Sequence, residues 1–167
     1  MRKLAEDRVQ AAKAEVQRLL DAKVIREVQF TTWLANIVMI RKKNEKWRMC
    51  IDFIDLNKAC REDNFPLPRI DTLVDQAAGS EMLSFLDCFS GYHQIWMRKE
   101  DEEFTSFITI FGTYCFVRMG EGLRNAGTTF VRMTSTVLRD QIGKNLLTYV
   151  NDIVIKSKKR EDHIKDL

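Results

Sequence analysis

Proline and histidine are nearly missing from this sequence, with two of each in 167 residues. Pro66, Pro68 and seven glycines leave little room for linkers. The histidines, His93 and His163, give a Ser/His/Asp hydrolase almost no support. Four cysteines (Cys50, Cys60, Cys88 and Cys115) form no CxxC pair, and their spacing argues against a structural zinc site. No apolar run approaches the roughly 20 residues of a membrane span. The charged start MRKLAEDRVQ does not read as a signal peptide, so a disulfide framework is not expected either. These absences predict a protein with free thiols and no membrane partner. It is expected to be intracellular, in cytoplasm or nucleus. Phosphate loops fail too. GEGLRNAG (120–127) spaces as GxGxxxxG, and Gly143-Lys144 lacks the rest of a Walker A loop.

Hydrophobic residues make up 45% and charged residues 31%, a globular composition long enough to bury a core. The net charge of +3 is too small to identify a nucleic-acid partner. Residues 1–24 read as an amphipathic helix, with Leu4, Ala12, Val16, Leu19, Leu20 and Val24 on one stripe. Trp33 to Ile40 and Trp47 to Phe53 predict a hairpin across RKKNEK. Ile70, Leu73, Val74 and Ala77 predict a short helix after the two prolines, stopped at Gly79. MLSFLD (82–87) is an apolar strand ending in an acid. Phe104 to Phe111 and Thr113 to Met119 predict a strand pair about Gly112. A helix carries Leu123, Ala126, Phe130, Met133, Val137 and Ile142, stopped at Gly143. Last, LLTYV and IVIK flank Asn151-Asp152 and predict a tight hairpin. The class is α+β.

Two features point to chemistry. Asp87 ends one strand and Asp152 sits at a hairpin tip. If those strands are neighbours, both acids emerge at one sheet edge, where clustered carboxylates hold divalent ions for phosphoryl transfer. The ordinary alternative stands beside it, because Asn-Asp is a good turn without metal. Arg41, Lys42, Lys43, Lys46 and Arg48, less Glu45, place a net +4 in eight residues around Trp47. Such a tip suits phosphate contacts, or is a solvated turn.

Six segments taken together carry a resemblance: WLANIVMIRKKNEKWRMCIDFIDLNKA, NFPLPRIDTLVDQAAG, LSFLDCFSGYHQI, TSFITIFGTYCF, GLRNAGTTF and YVNDIVIK. From about residue 16 onward the sequence resembles the fingers-and-palm region of reverse transcriptases from gypsy-type long-terminal-repeat retrotransposons, as found in plant genomes. The resemblance implies an α+β right-hand polymerase with an antiparallel palm sheet packed on helices. After the N-terminal amphipathic helix (1–24), residues 25–167 are expected to be fingers and palm, with the thumb absent. The resemblance also implies RNA-directed DNA polymerisation by two-metal nucleotidyl transfer, with Mg2+, a primed RNA or DNA template and deoxynucleoside triphosphates as partners. Asp87 matches the first metal-binding aspartate. Asn151 and Asp152 occupy the aspartate positions of the YxDD hairpin, and Tyr149 its tyrosine. Lys42 or Lys43, with Arg48, match the residues that grip triphosphate. Tyr92 matches the gate against a ribose 2′-hydroxyl. Gln94 is expected in a strand.

The departures from the pattern bear on activity. Asn151 stands where the resemblance implies a direct metal ligand, and it has lost that charge. A unit-charge pair at about 4 Å is worth roughly 4 kcal/mol at an effective dielectric near 20. MGEGLRN replaces MPFGLRN, so Glu121 brings a negative charge near the expected triphosphate. Arg61 replaces a proline and Glu45 a turn glycine. The expectation is a reverse transcriptase domain impaired by Asn151 and by truncation. The alternatives are a non-catalytic nucleic-acid-binding remnant, aided by KSKKR (156–160), and a pseudogene product.

Overall fold

The computed structural model describes residues 5–167, which divide into two compact units. The first four positions of the expected N-terminal helix, Leu4 among them, lie outside the described residues. The first unit holds residues up to 61 together with 92–126. In it α1 (Glu6–Asp21) buries Ala12, Val16 and Leu19, and Glu6 and Asp7 in its first turn complement the helix dipole. The chain leaves the helix through Lys23 at φ +54 and enters β1 (Ile25–Glu27). β2 (Ala35–Arg41) and β3 (Trp47–Ile51) form an antiparallel hairpin, with Ile37 opposite Ile51 and Arg41 opposite Trp47. α2 (Ile54–Ala59) follows.

β5 (Phe107–Thr109) and β6 (Gly112–Phe116) complete a five-stranded sheet of order β1-β6-β5-β2-β3, in which only β2 and β5 pair in parallel. Its core gathers the α1 stripe, Val24, Ile25, Ile37, Phe53 and Leu56 around Phe107, Tyr114 and Phe116. The ring of Phe107 lies 5.9 Å from Tyr114 and 5.6 Å from Phe116.

The expected strand pair begins three residues later than Phe104, because Lys99–Thr105 is a 3-10 helix. The cause is local. Thr105 Oγ1 donates to the Glu102 carbonyl at 2.6 Å, and Ser106 Oγ donates to that of Glu103 at 2.6 Å. Hydroxyls that close turns on their own backbone compete with a ladder. Gln94 is likewise not in a strand but in a 3-10 turn, Gly91–Gln94.

The second unit holds residues 62–91 and 127–167. α3 (Ile70–Ala77) precedes β4 (Met82–Asp87), which joins β7 (Leu146–Tyr149) and β8 (Asp152–Ser157) in an antiparallel sheet of order β4-β8-β7. Leu146, Leu147 and Ile155 are buried, and so are Phe130 and Val131 of α4 (Ala126–Val137). This helix ends short of the expected Ile142. Thr134 Oγ1 donates back to the carbonyls of Phe130 and Val131, and Thr136 Oγ1 to that of Arg132. Such back-bonding within a β-branched run weakens continuation of the helix.

α5 (His163–Asp166) is tied to the sheet by a buried relay. Ser157 Oγ donates to Asp166 Oδ2 at 2.6 Å, so it accepts from His163 Nδ1 at 2.8 Å. The His163 Nε2 is hydrogen-bonded to Ser84 Oγ at 2.7 Å. No helix among the described residues is long and apolar enough to cross a membrane.

Candidate functional site

In the second unit the register sets two acids side by side. β4 and β8 are hydrogen-bonded neighbours, and the ladder runs from Met82 opposite Ser157 to Asp87 opposite Asp152. Beyond it the Cys88 N–H donates to the Asn151 carbonyl at 3.0 Å, which extends the pairing to the hairpin tip. Asp87 and Asp152 are both exposed. Burial, followed by the charges of Asp87 and Asp152, pushes the Cys88 thiol above its ordinary value, so it stays protonated beside them.

The hairpin itself turns one residue earlier than expected. Tyr149 pairs with Asp152, so the turn residues are Val150 and Asn151, and Asp152 belongs to the strand. Val150 has φ +51, a costly conformation for a β-branched residue. The side-chain oxygen Oδ1 of Asn151 is buried without a hydrogen-bond partner. Nowhere among the described residues do three or more His, Cys, Asp or Glu side chains converge as a metal set. The potential donors here are two carboxylates and one neutral carbonyl oxygen. All three are hard oxygen ligands of the kind Mg2+ takes, with one negative charge fewer than three aspartates would give.

In the first unit the basic hairpin is partly neutralised. At its tip the Lys42 N–H donates to the Lys46 carbonyl at 2.8 Å, and Glu45 sits at φ +62. Arg41 pairs with Glu45 at 3.5 Å. Arg48 is ion-paired with Glu121, whose carboxylate holds the guanidinium above its ordinary value. Arg8 lies over the Trp47 ring, 5.0 Å from its centroid.

Lys42, Trp47, Arg48 and Glu121 line a cavity of about 670 Å3 together with Glu15, Arg18 and His93. Arg18 is held bidentately by Glu15 at 2.7 and 2.9 Å. Burial keeps His93 below the usual imidazole range, hence neutral at neutral pH. Of the expected nucleotide residues, Lys42, Arg48 and Glu121 thus share one cavity. Lys43 is exposed and Tyr92 half-buried, and neither lines it.

The sequence reading passed over Glu15, Arg18 and His93, since nothing in their spacing ties them to the hairpin. It also passed over Asn57, whose side chain bonds the loop that bears Glu121. The polar Asn57 in DFIDLN was the available signal.

The reverse transcriptase (RNA-dependent DNA polymerase) family matches residues 40–167. The chain belongs to this family. It is 40% identical over 124 residues to the retrovirus-related Pol polyprotein from transposon gypsy of Drosophila melanogaster, which covers 74% of this chain and 12% of that polyprotein. An RNA-directed DNA polymerase homolog from Oenothera berteroana is 37% identical over 123 residues, 72% of this chain and 87% of that protein. This reverse transcriptase domain is therefore of the kind found in retrotransposon polyproteins, and it spans about 12% to 13% of the first such relatives. Among solved structures, a foamy viral protease-reverse transcriptase in complex with an RNA/DNA hybrid superimposes with a TM-score of 0.87 at 18% identity, over 98% of this chain and 22% of that one. The likeness is one of fold: this is the α+β architecture of reverse transcriptase fingers and palm.

Proposed function

We propose that this reverse transcriptase domain belongs to an enzyme that extends a primer 3′-hydroxyl with deoxynucleoside triphosphates on an RNA or DNA template. The observation that carries the reading is the register that sets Asp87 opposite Asp152, with the unpartnered Asn151 oxygen in the adjoining turn. Asp87 and Asp152 would hold divalent ions, two in the family reading, and Asn151 would offer a neutral oxygen in place of a carboxylate. Mg2+ bound there supplies activation of the attacking hydroxyl and charge stabilisation on the transferred phosphoryl group. Lys42, or Lys43 beside it, and Arg48 contribute cationic contacts to triphosphate oxygens, where a point charge and a planar fork both fit. Tyr92 excludes a ribose 2′-hydroxyl by bulk.

The same reading implies weak catalysis. One carboxylate fewer lowers the affinity for a divalent cation and the stabilisation of the charge that develops on transfer. Each 1.4 kcal/mol lost is about tenfold in rate. Primer extension on an RNA template, with Mg2+ and separately Mn2+, tests this against the Asn151→Asp and Asp87→Ala variants. Little extension is expected from the unaltered chain, more from Asn151→Asp, and none from Asp87→Ala. Equal rates for the unaltered chain and Asn151→Asp would show that Asn151 does not limit the reaction. Template–primer binding that weakens steeply with salt, without extension by any variant, would favour a non-catalytic binding domain.

A further inference from the structure

The loop that carries Glu121 is fixed from both sides within the first unit. A Cβ on Gly120 would lie 3.2 Å from the Phe116 ring, and Gly122 sits at φ +86, so neither neighbour of Glu121 tolerates a side chain easily. Asn57 clamps the far side. Its Nδ2 donates to the Gly122 carbonyl at 2.8 Å, and its Oδ1 accepts from the Arg124 N–H at 2.8 Å. The Arg124 guanidinium returns a bond to the Asn57 carbonyl at 3.3 Å, and Asn125 Nδ2 donates to the Arg61 carbonyl at 2.8 Å. The loop so held delivers the Glu121 carboxylate onto Arg48.

This pairing changes what the cavity offers an anion. Of its three lining cations, Arg18 is engaged by Glu15 and Arg48 by Glu121. Lys42 is the third cation of the lining and is exposed. The Arg48 and Glu121 side chains are 48% and 55% exposed, so their contact is weak enough to exchange with an incoming anion.

We infer that Glu121 is a built-in competitor for the phosphates of the incoming nucleotide, positioned by Asn57 and acting through Arg48. The inference rests on the proposal that Arg48 binds triphosphate. It assigns Glu121 a specificity role: the cavity favours ligands of low negative charge over a full phosphate chain.

Inorganic tripolyphosphate, titrated calorimetrically into the intact chain and its variants, isolates this effect from catalysis. Glu121 is more than half exposed, so Glu121→Gln should fold normally, which circular dichroism checks. Glu121→Gln should bind about two- to fivefold more tightly than the unaltered chain, the order of one ion pair released at a partly exposed site. That gain should vanish in the Arg48→Ala background. Asn57→Ala should raise affinity in the unaltered chain and add nothing in Glu121→Gln. Unchanged affinity in Glu121→Gln, with binding that Arg48→Ala abolishes, overturns the competitor role and leaves the triphosphate reading intact. A gain of equal size in the Arg48→Ala background overturns action through Arg48. Equal effects of Asn57→Ala in both backgrounds overturn its positioning role. Absence of binding by every variant overturns the competitor role and the triphosphate reading together.

Discussion

Asn151→Asp should stabilise or destabilise the protein according to whether a divalent cation is present. Antiparallel cross-strand partners have Cα atoms about 4.5–5.5 Å apart, and Asp87 and Asp152 are such partners. A third carboxylate at position 151, if it came within about 5 Å of each, would meet roughly 3 kcal/mol of repulsion per pair at an effective dielectric near 20. Both existing acids are exposed, and solvent screening lowers the sum to about 2 kcal/mol. The new charge would also stand where Asn151 Oδ1 is buried without a donor, which adds a desolvation cost of the same sign. At about 2–4 °C per kcal/mol, the variant should melt ~4–8 °C below the unaltered chain in EDTA. A cation at a hundred times its dissociation constant returns about 2.7 kcal/mol, so the deficit should close in Mg2+ or Mn2+. The unaltered chain should respond to metal much less. Scanning calorimetry with and without EDTA reads this directly, independent of any polymerase assay. Equal melting temperatures in EDTA, or equal metal responses of the two chains, would refute the view that residues 87, 151 and 152 share one electrostatic site.

Phe107→Ala removes a fully buried ring packed on Tyr114 and Phe116 and should cost about 3–5 kcal/mol in denaturant unfolding. Ser157→Ala cuts the relay that joins β8, His163 and Asp166 and leaves buried polar atoms unpaired; about 1–3 kcal/mol should be lost, with α5 exchanging its amides first. The Arg132 guanidinium holds the Asp63 carboxyl below its ordinary 3.8, so their pairing stabilises the fold above that pH and fades as the group protonates below it. Asp63→Asn should therefore be less stable than the unaltered chain at pH 6, and the difference should disappear as pH falls below 3.8. A difference that does not shrink as pH falls from 3.8 would assign the effect to something other than charge.

Where periodicity and tertiary packing agree, the sequence alone was enough. The α1 stripe buries the Ala12, Val16 and Leu19 that its spacing selects, and the basic hairpin pairs as its apolar runs suggest. The failures share a cause. Lys99–Thr105, the end of α4 and the 149–152 turn are all places where backbone choice depends on hydroxyl side chains or on neighbours distant in sequence. A hydrophobic pattern cannot register that Thr105 Oγ1 both closes its own turn and accepts the Phe116 N–H at 2.9 Å. The charged partners were equally hidden: 73 residues separate Arg48 from Glu121, and only the folded loop brings them together. The acidic pair was more legible, because strand ends are local signals and only the adjacency of β4 and β8 had to be supplied by the fold.

The one-residue shift of the 149–152 turn can be explained by comparing energies. An Asn151-Asp152 turn would avoid placing Val150 at positive φ, a strain of order 1–3 kcal/mol. Pairing Val150 with Ile153, however, would slide β7 along β8 by two residues, about 7 Å. Leu146 and Leu147 now pair with Ile155 and Val154 and are buried; they would leave those places. Burying two leucines is worth roughly 3–6 kcal/mol, so the core outweighs the turn. Asp152 consequently becomes the first residue of β8, the central strand of its sheet, instead of a turn residue. A carboxylate carried by a strand paired on both sides is held more rigidly than one on a loop tip. The strain at Val150 thus accompanies the register that places Asp152 on a paired strand opposite Asp87.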